Sequence, residues 1–117
     1  MIIPIHMFAF ANEGDRSKVR MVDIPDDEAK FAKMTDLLEL VFKYGQNDFA
    51  TDLSQVAQHP SVSVGDVAEI DGEYYMVMGM GWKQLTKEEF EALVPPTSMQ
   101  AHEFGIKDSL KENKDEC

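Results

Sequence analysis

Residues 67–77 read VAEIDGEYYMV and give the clearest structural signal in the 117-residue chain. The pair Asp71-Gly72 lies between two runs of strand-forming residues, and a type I′ turn needs positive φ at both central positions, which Asp and Gly tolerate. We therefore predict a hairpin in which a strand over residues 62–70, with a tight turn at Gly65-Asp66 before its last part, pairs with a return strand over residues 73–85. A glycine bend within the return strand would redirect the strand without ending it.

The N-terminal quarter of the chain predicts a second hairpin. Residues 2–11 are apolar at both alternating positions, as in a strand that is covered on two sides. The turn-forming residues 12–15 follow, and residues 18–24 then alternate loosely between polar and apolar side chains. The second strand is expected to pair back onto the first.

Two helices are predicted from periodicity and end signals. The first covers residues 36–44, where the Asp36 carboxylate can cap backbone N–H groups and Gly45 can end the helix in a left-handed conformation. The second covers residues 87–94, which a threonine–glutamate capping box precedes and two prolines follow.

These elements together predict an α+β fold, a small and mostly antiparallel sheet packed against one or two short helices. The length fits one domain, which we assign to residues 1–96. Residues 97–117 contain few apolar side chains and end in a run of mixed charge, so we expect a largely mobile C-terminal tail.

The charge balance limits the classes of function. The chain has 22 acidic and 11 basic side chains, a formal net charge of -11. Direct binding to nucleic acid is not expected, because that binding depends on Lys and Arg displacing counterions from phosphates. No apolar run approaches the length of a membrane span. The apolar N-terminal run is not preceded by the basic residues of a signal peptide, so we expect a soluble, cytoplasmic protein without a membrane partner.

Catalytic and metal-binding patterns are not found in the sequence. His6, His59 and His102 have no Cys, His or carboxylate at the usual ligand spacing, so no metal or other cofactor is predicted. The single cysteine, Cys117, cannot form an intrachain disulfide and has no evident base beside it. Residues 79–82 lack the third glycine of a phosphate-binding loop. We therefore expect a protein that is not an enzyme.

The charges are segregated along the chain. No Lys or Arg lies between Lys43 and Lys83, while acidic residues recur in this stretch. If its turns cluster in space, they would form a negative surface that attracts a basic partner. The predicted partner-binding residues are Asp48, Asp52, Asp66, Glu69, Asp71, Glu73 and Trp82.

A stripe of apolar side chains on the return strand allows two interpretations. Tyr74, Met76, Met78 and Met80 share one parity of the strand. Methionine fills cores and also recurs on adaptable binding surfaces, so the stripe is either core, which we favour, or an interface through which the protein forms a homodimer.

Residues 59–67, HPSVSVGDV, and residues 75–82, YMVMGMGW, resemble the YodL-like domain family of phages and mobile elements. The family pattern is Ser-x-Ser-x-Ser/Gly-Asp-Val-Val, a hairpin, and Tyr-x-Val-Asp-Ser-Phe-Gly-Phe. Val77, Gly81 and the closing aromatic Trp82 match it, while residues 78–80 read MGM instead of Asp-Ser-Phe. The likeness extends more weakly over residues 36–58 and implies a genomic setting, not a reaction.

The sequence therefore favours a small acidic accessory protein that binds a basic host protein, as nucleic-acid mimics in anti-restriction or anti-defence do. The alternative is a structural or assembly protein that self-associates. A small enzyme is a third class, which would need a pocket of convergent carboxylates.

Overall fold

The computed structural model describes residues 1–49 and 59–102. Its centre is a five-stranded sheet in which every neighbouring pair of strands is antiparallel. The strands are β1 (Ile2–His6), β2 (Val19–Asp23), β3 (Val67–Ile70), β4 (Glu73–Val77) and β5 (Trp82–Leu85). Their order across the sheet is β2-β1-β3-β4-β5. With the short helices described below, this confirms the predicted α+β fold.

The β3–β4 hairpin forms at the predicted turn. Asp71 and Gly72 have φ values of 52° and 79°, as a type I′ turn requires, and Ile70 pairs with Glu73 across it. The predicted length of the return strand is wrong, because the chain reverses at residues 78–81. Met78 N donates to Gly81 O at 2.9 Å, and β5 then pairs antiparallel with β4.

Two other predicted strands are shorter than expected because backbone groups at their ends bond elsewhere. β1 ends at His6 instead of residue 11, where Phe8 N donates to His6 O at 3.0 Å. β3 begins at Val67, directly after the predicted turn at Gly65-Asp66, and residues 62–64 are not part of the strand, since Asp66 N donates to Ser63 O at 3.0 Å. These bonds direct both segments out of the sheet.

The helices are α1 (Asp26–Ala29), α2 (Met34–Tyr44) and α3 (Lys87–Ala92), with a 3₁₀ turn at Asn47–Phe49. The capping box of α3 is confirmed, with Thr86 and Glu89 exchanging backbone-to-side-chain bonds of 3.0 and 3.1 Å. The predicted cap of α2 is wrong, because Lys33 is the N-cap and Asp36 lies in the first turn. Gly45 is not left-handed, at φ -78°. A Cβ at this position would lie 2.4 Å from Val62 Cγ2, so close packing accounts for the glycine.

Each face of the sheet carries its own apolar cluster. On one face, in what we call the α2-side cluster, Leu37, Leu38 and Val41 of α2 pack against Ile3, Ile5, Val22, Ala68, Ile70 and Tyr75. On the other face, in the α3-side cluster, Phe90 of α3 and the following Leu93 and Ala101 pack with Phe8, Val67, Met76 and Leu85. Burial on both faces explains why strand β4 is apolar at both parities.

The methionine stripe is divided by the turn after β4. Met76 is fully buried in the α3-side cluster and Met78 packs at its margin. Met80 is 95% exposed, because it lies in the turn and not in a strand. The interpretation of the stripe as core is thus confirmed for Met76 and wrong for Met80.

The packed part of the chain continues past the predicted boundary at residue 96. Thr97 is buried, its backbone N donates to Phe8 O at 3.2 Å, and its hydroxyl donates to Gly65 O. Ala101 is buried in the α3-side cluster. The prediction of a tail beginning at residue 97 is therefore wrong for residues 97–102, and residues 103–117, with Cys117, lie outside the described residues.

We expect Gly65→Ala to lower the free energy of unfolding by about 2–3 kcal/mol, through left-handed strain and a backbone clash. Gly65 has φ +102°, and a Cβ there would lie 2.7 Å from Ser98 N. Gly14→Ala is the control, since Gly14 has φ +75° with no atom within 4 Å of the added Cβ, so about 1 kcal/mol is expected there. Urea unfolding measures both, and equal losses would contradict the contact between residues 65 and 98.

Candidate partner-binding surface

The β3–β4 hairpin brings three of the predicted acidic residues together. Asp71 is in the turn, Glu73 begins β4, and Glu69 lies opposite Tyr74 in the strand pair. Asp71 and Glu73 are exposed, and the Glu73 carboxylate accepts a hydrogen bond of 3.0 Å from Gln84 Nε2. The turn therefore presents at least two carboxylates to solvent.

The strand order adds carboxylates that are distant in sequence to the same end of the sheet. Asp23, at the end of β2, lies opposite Ile2 of β1. Because Ile5 pairs with Ala68 of β3, the same antiparallel register brings Ile2 level with Asp71, and Asp23 and Asp71 therefore lie at the same end of the sheet. Leu85, the last residue of β5, pairs with Tyr74 next to the β3–β4 turn, so the following helix α3 also begins at this end of the sheet. We call the exposed residues Asp23, Asp26, Asp71, Glu73 and Glu88 the acidic end.

One cation lies within the acidic end. The Met1 ammonium donates to Asp26 Oδ1 at 2.6 Å and lies 3.8 Å from Asp23 Oδ1. The hydrogen bond raises the pKa of the ammonium and lowers the pKa of Asp26. This cation therefore offsets part of the negative charge on the β2 side, and the β3–β4 side carries the more open carboxylates.

Asp66 does not belong to a surface. It is 1% exposed, and its carboxylate accepts backbone bonds of 2.9 Å from Ala9 N and 2.8 Å from Ser63 N. Burial, which disfavours the charged form, raises its pKa to about 6 against the opposing effect of these bonds. The prediction that Asp66 contacts a partner is wrong, because the side chain holds two loops together inside the protein.

Two further predicted site residues, Asp48 and Trp82, lie apart from the acidic end. Asp48 is exposed in the 3₁₀ turn after α2. Trp82 pairs with Val77, at the opposite end of β4 from Glu73, and packs partly against the α2-side cluster. Asp52 lies outside the described residues. A single surface that contains all seven residues is therefore not formed.

Glu69 has a partner inside the protein. His6 Nε2 lies 3.4 Å from Glu69 Oε1, and the imidazole packs edge-on against Phe90 with a centroid distance of 4.9 Å. Phe90 also stacks on Tyr74 at 4.0 Å, which attaches α3 to the sheet. Burial lowers the pKa of His6, against the opposing effect of the Glu69 carboxylate.

Within residues 1–49 and 59–102, no group of three or more His, Cys, Asp or Glu side chains is placed to hold a metal ion. The helices described here are also too short or too polar to cross a bilayer. Comparison of the chain with protein-family models, curated proteins and solved structures finds no match.

Asp23, Asp26 and Glu88 were not among the residues that sequence reasoning assigned to the surface. They lie outside the Lys/Arg-free stretch, and only the pairing of β1 with both β2 and β3 brings Asp23 toward the hairpin. The alternation of the first two strands was the available signal, but it does not fix the order of strands.

Proposed function

We propose that this protein binds a basic surface of another protein through its acidic end. The observation that carries the proposal is the placement of carboxylates from β2, α1, the β3–β4 turn and α3 at one end of one sheet. Carboxylates held on rigid elements keep a negative potential in a fixed position, which steers and orients a cationic partner.

The partner that fits this chemistry best is a host protein that binds nucleic acid, because its basic surface already accommodates closely spaced anions. A partner of this kind agrees with the role that the YodL-like resemblance implies, an accessory factor of a phage or mobile element. Binding, and not catalysis, is the role that we assign to the chain.

The alternative of self-association through the methionine strand has less support. β4 is paired on both edges, and Tyr75 and Met76 are buried. A homodimer would need a surface other than this strand.

The test compares two variants with the same loss of charge. We expect Asp71→Asn with Glu73→Gln to weaken partner binding roughly threefold to tenfold, as two exposed ion pairs are lost. Asparagine tolerates the positive φ at position 71, so the turn is preserved. The control is Glu13→Gln with Asp48→Asn, two exposed carboxylates away from the acidic end.

The measurement is capture of host proteins on the immobilised chain, followed by titration of each purified captured protein at low and high salt. The proposal is supported if the wild type and the control variant bind a captured protein equally well, and if both the acidic-end substitutions and high salt weaken that binding. Equal binding by all three proteins, or binding that salt leaves unchanged, would contradict it.

A further inference from the structure

An open groove of about 660 Å³ lies between α1 and α2, on the side of α2 that faces away from the sheet. Residues 36, 39, 40 and 43 line one wall at the i, i+3, i+4, i+7 spacing of a single helix face. Glu28, Phe31 and Ala32 line the other wall. Each wall of the groove thus carries both apolar side chains and carboxylates.

The walls of the groove are fixed to each other. The Tyr44 hydroxyl, at the end of α2, donates a hydrogen bond to Glu28 Oε2 in α1, and this bond raises the pKa of Tyr44. Ala32 and Leu40 also pack partly against the α2-side cluster. The groove is therefore present without a ligand and would not have to form on binding.

Phe31 is the most unusual side chain of the groove, because it is 84% exposed. Lys30 Nζ already lies 5.4 Å from the centroid of its ring, so this aromatic face accommodates a cation. Glu28, Asp36 and Glu39 add three carboxylates, against the cations of Lys43 in the lining and of Lys30 beside the Phe31 ring. The groove can thus cover an aliphatic stem and hold a positive head group.

We infer that the α1–α2 groove is the anchor pocket for an arginine side chain flanked by apolar residues on the partner protein. A guanidinium stacks on an aromatic face and makes paired hydrogen bonds to carboxylates, which an ammonium does less well. α1 begins at Asp26 of the acidic end, so the groove continues that surface. This inference rests on the proposed function and names the feature of the basic partner that is recognised.

The probe is the capped peptide LRLRL, compared with LELEL and LKLKL and titrated into the isotopically labelled full-length chain by NMR. We expect amide shifts in α1 and α2 on addition of LRLRL, weaker shifts with LKLKL, and none with LELEL. Phe31→Ala should weaken LRLRL binding about tenfold, the effect of losing an exposed ring that becomes covered on binding. Glu39→Gln should weaken it roughly threefold.

The controls are Phe10→Ala, which removes another exposed phenylalanine, and Glu13→Gln. Both should leave binding unchanged, and unfolding curves establish that all four variants remain folded. If LRLRL shifts only the acidic end and Phe31→Ala has no effect, the groove is refuted while the proposed function stands. Equal binding of LRLRL and LELEL would refute recognition by charge, and absence of shifts with LRLRL would refute the groove.

Discussion

Replacing Asp66 by alanine is expected to lower the free energy of unfolding by about 3 kcal/mol, because a buried and a half-buried N–H group lose their acceptor at once. Ala9 N donates to Oδ1 and Ser63 N donates to Oδ2, from segments that lie 57 and 3 residues away along the chain. No side-chain oxygen would remain at position 66 to replace either bond. Urea denaturation at neutral pH measures the loss.

The control is Asp48→Ala, which removes an exposed carboxylate outside the hairpin and should change stability by less than about 0.5 kcal/mol. A loss of the same small size for Asp66→Ala would contradict the prediction, since it would mean that water reaches both N–H groups. The variants used to test binding at the acidic end keep Asp66, because its replacement is expected to change stability.

The stability of the wild-type protein should also depend on the protonation of Asp66. Its pKa is raised from 3.8 to about 6 in the folded state, so the folded protein binds this proton more tightly than the unfolded chain does. The resulting stabilisation is fully present below about pH 4 and is lost as the pH rises through about 6, on the order of 2–3 kcal/mol. Subtracting the pH profile of Asp66→Asn isolates this contribution, and parallel profiles would contradict it.

Sequence analysis located correctly the elements that are determined by residues close together in the chain. The Asp71-Gly72 turn and the Thr86 capping box each depend on residues within four positions of one another, so the pattern alone specifies them. The strand ends depend on contacts made across the fold. From sequence alone, the bend at residues 78–81 is predicted to redirect a single strand. In the structure the chain reverses there, and a hydrogen bond from Met78 N to Gly81 O closes the turn.

The same distinction explains the outcome for the candidate site. Asp71 lies in the β3–β4 turn and Glu73 begins the return strand, as the local sequence pattern predicts. Asp66 follows a glycine and precedes a strand, as a surface turn residue would. It is buried because its carboxylate turns inward to accept bonds from Ala9 N and Ser63 N. Linear charge patterns therefore identify turns better than they identify surfaces.

Arg20 is the other polar side chain on which several segments converge. It is 2% exposed, and its Nη1 donates to Gly45 O at 3.1 Å, to Asn47 Oδ1 at 2.8 Å and to Pro60 O at 3.0 Å. These oxygens belong to the end of α2, the 3₁₀ turn and the segment before β3. One guanidinium in β2 therefore holds residues 45–47 and residue 60 together beside the sheet.

Replacing Arg20 by methionine is expected to lower the free energy of unfolding by about 3–5 kcal/mol, since three oxygens lose a charged donor while the site remains buried. Methionine keeps most of the apolar stem, so the loss reports mainly on the hydrogen bonds and not on packing. Lys18→Met is the matched control, an exposed cation two residues earlier, and should cost less than about 0.5 kcal/mol. An Arg20→Met protein as stable as wild type would show that an apolar side chain satisfies this position, and the convergence of Gly45, Asn47 and Pro60 on Arg20 would then be a consequence of the fold and not one of its causes.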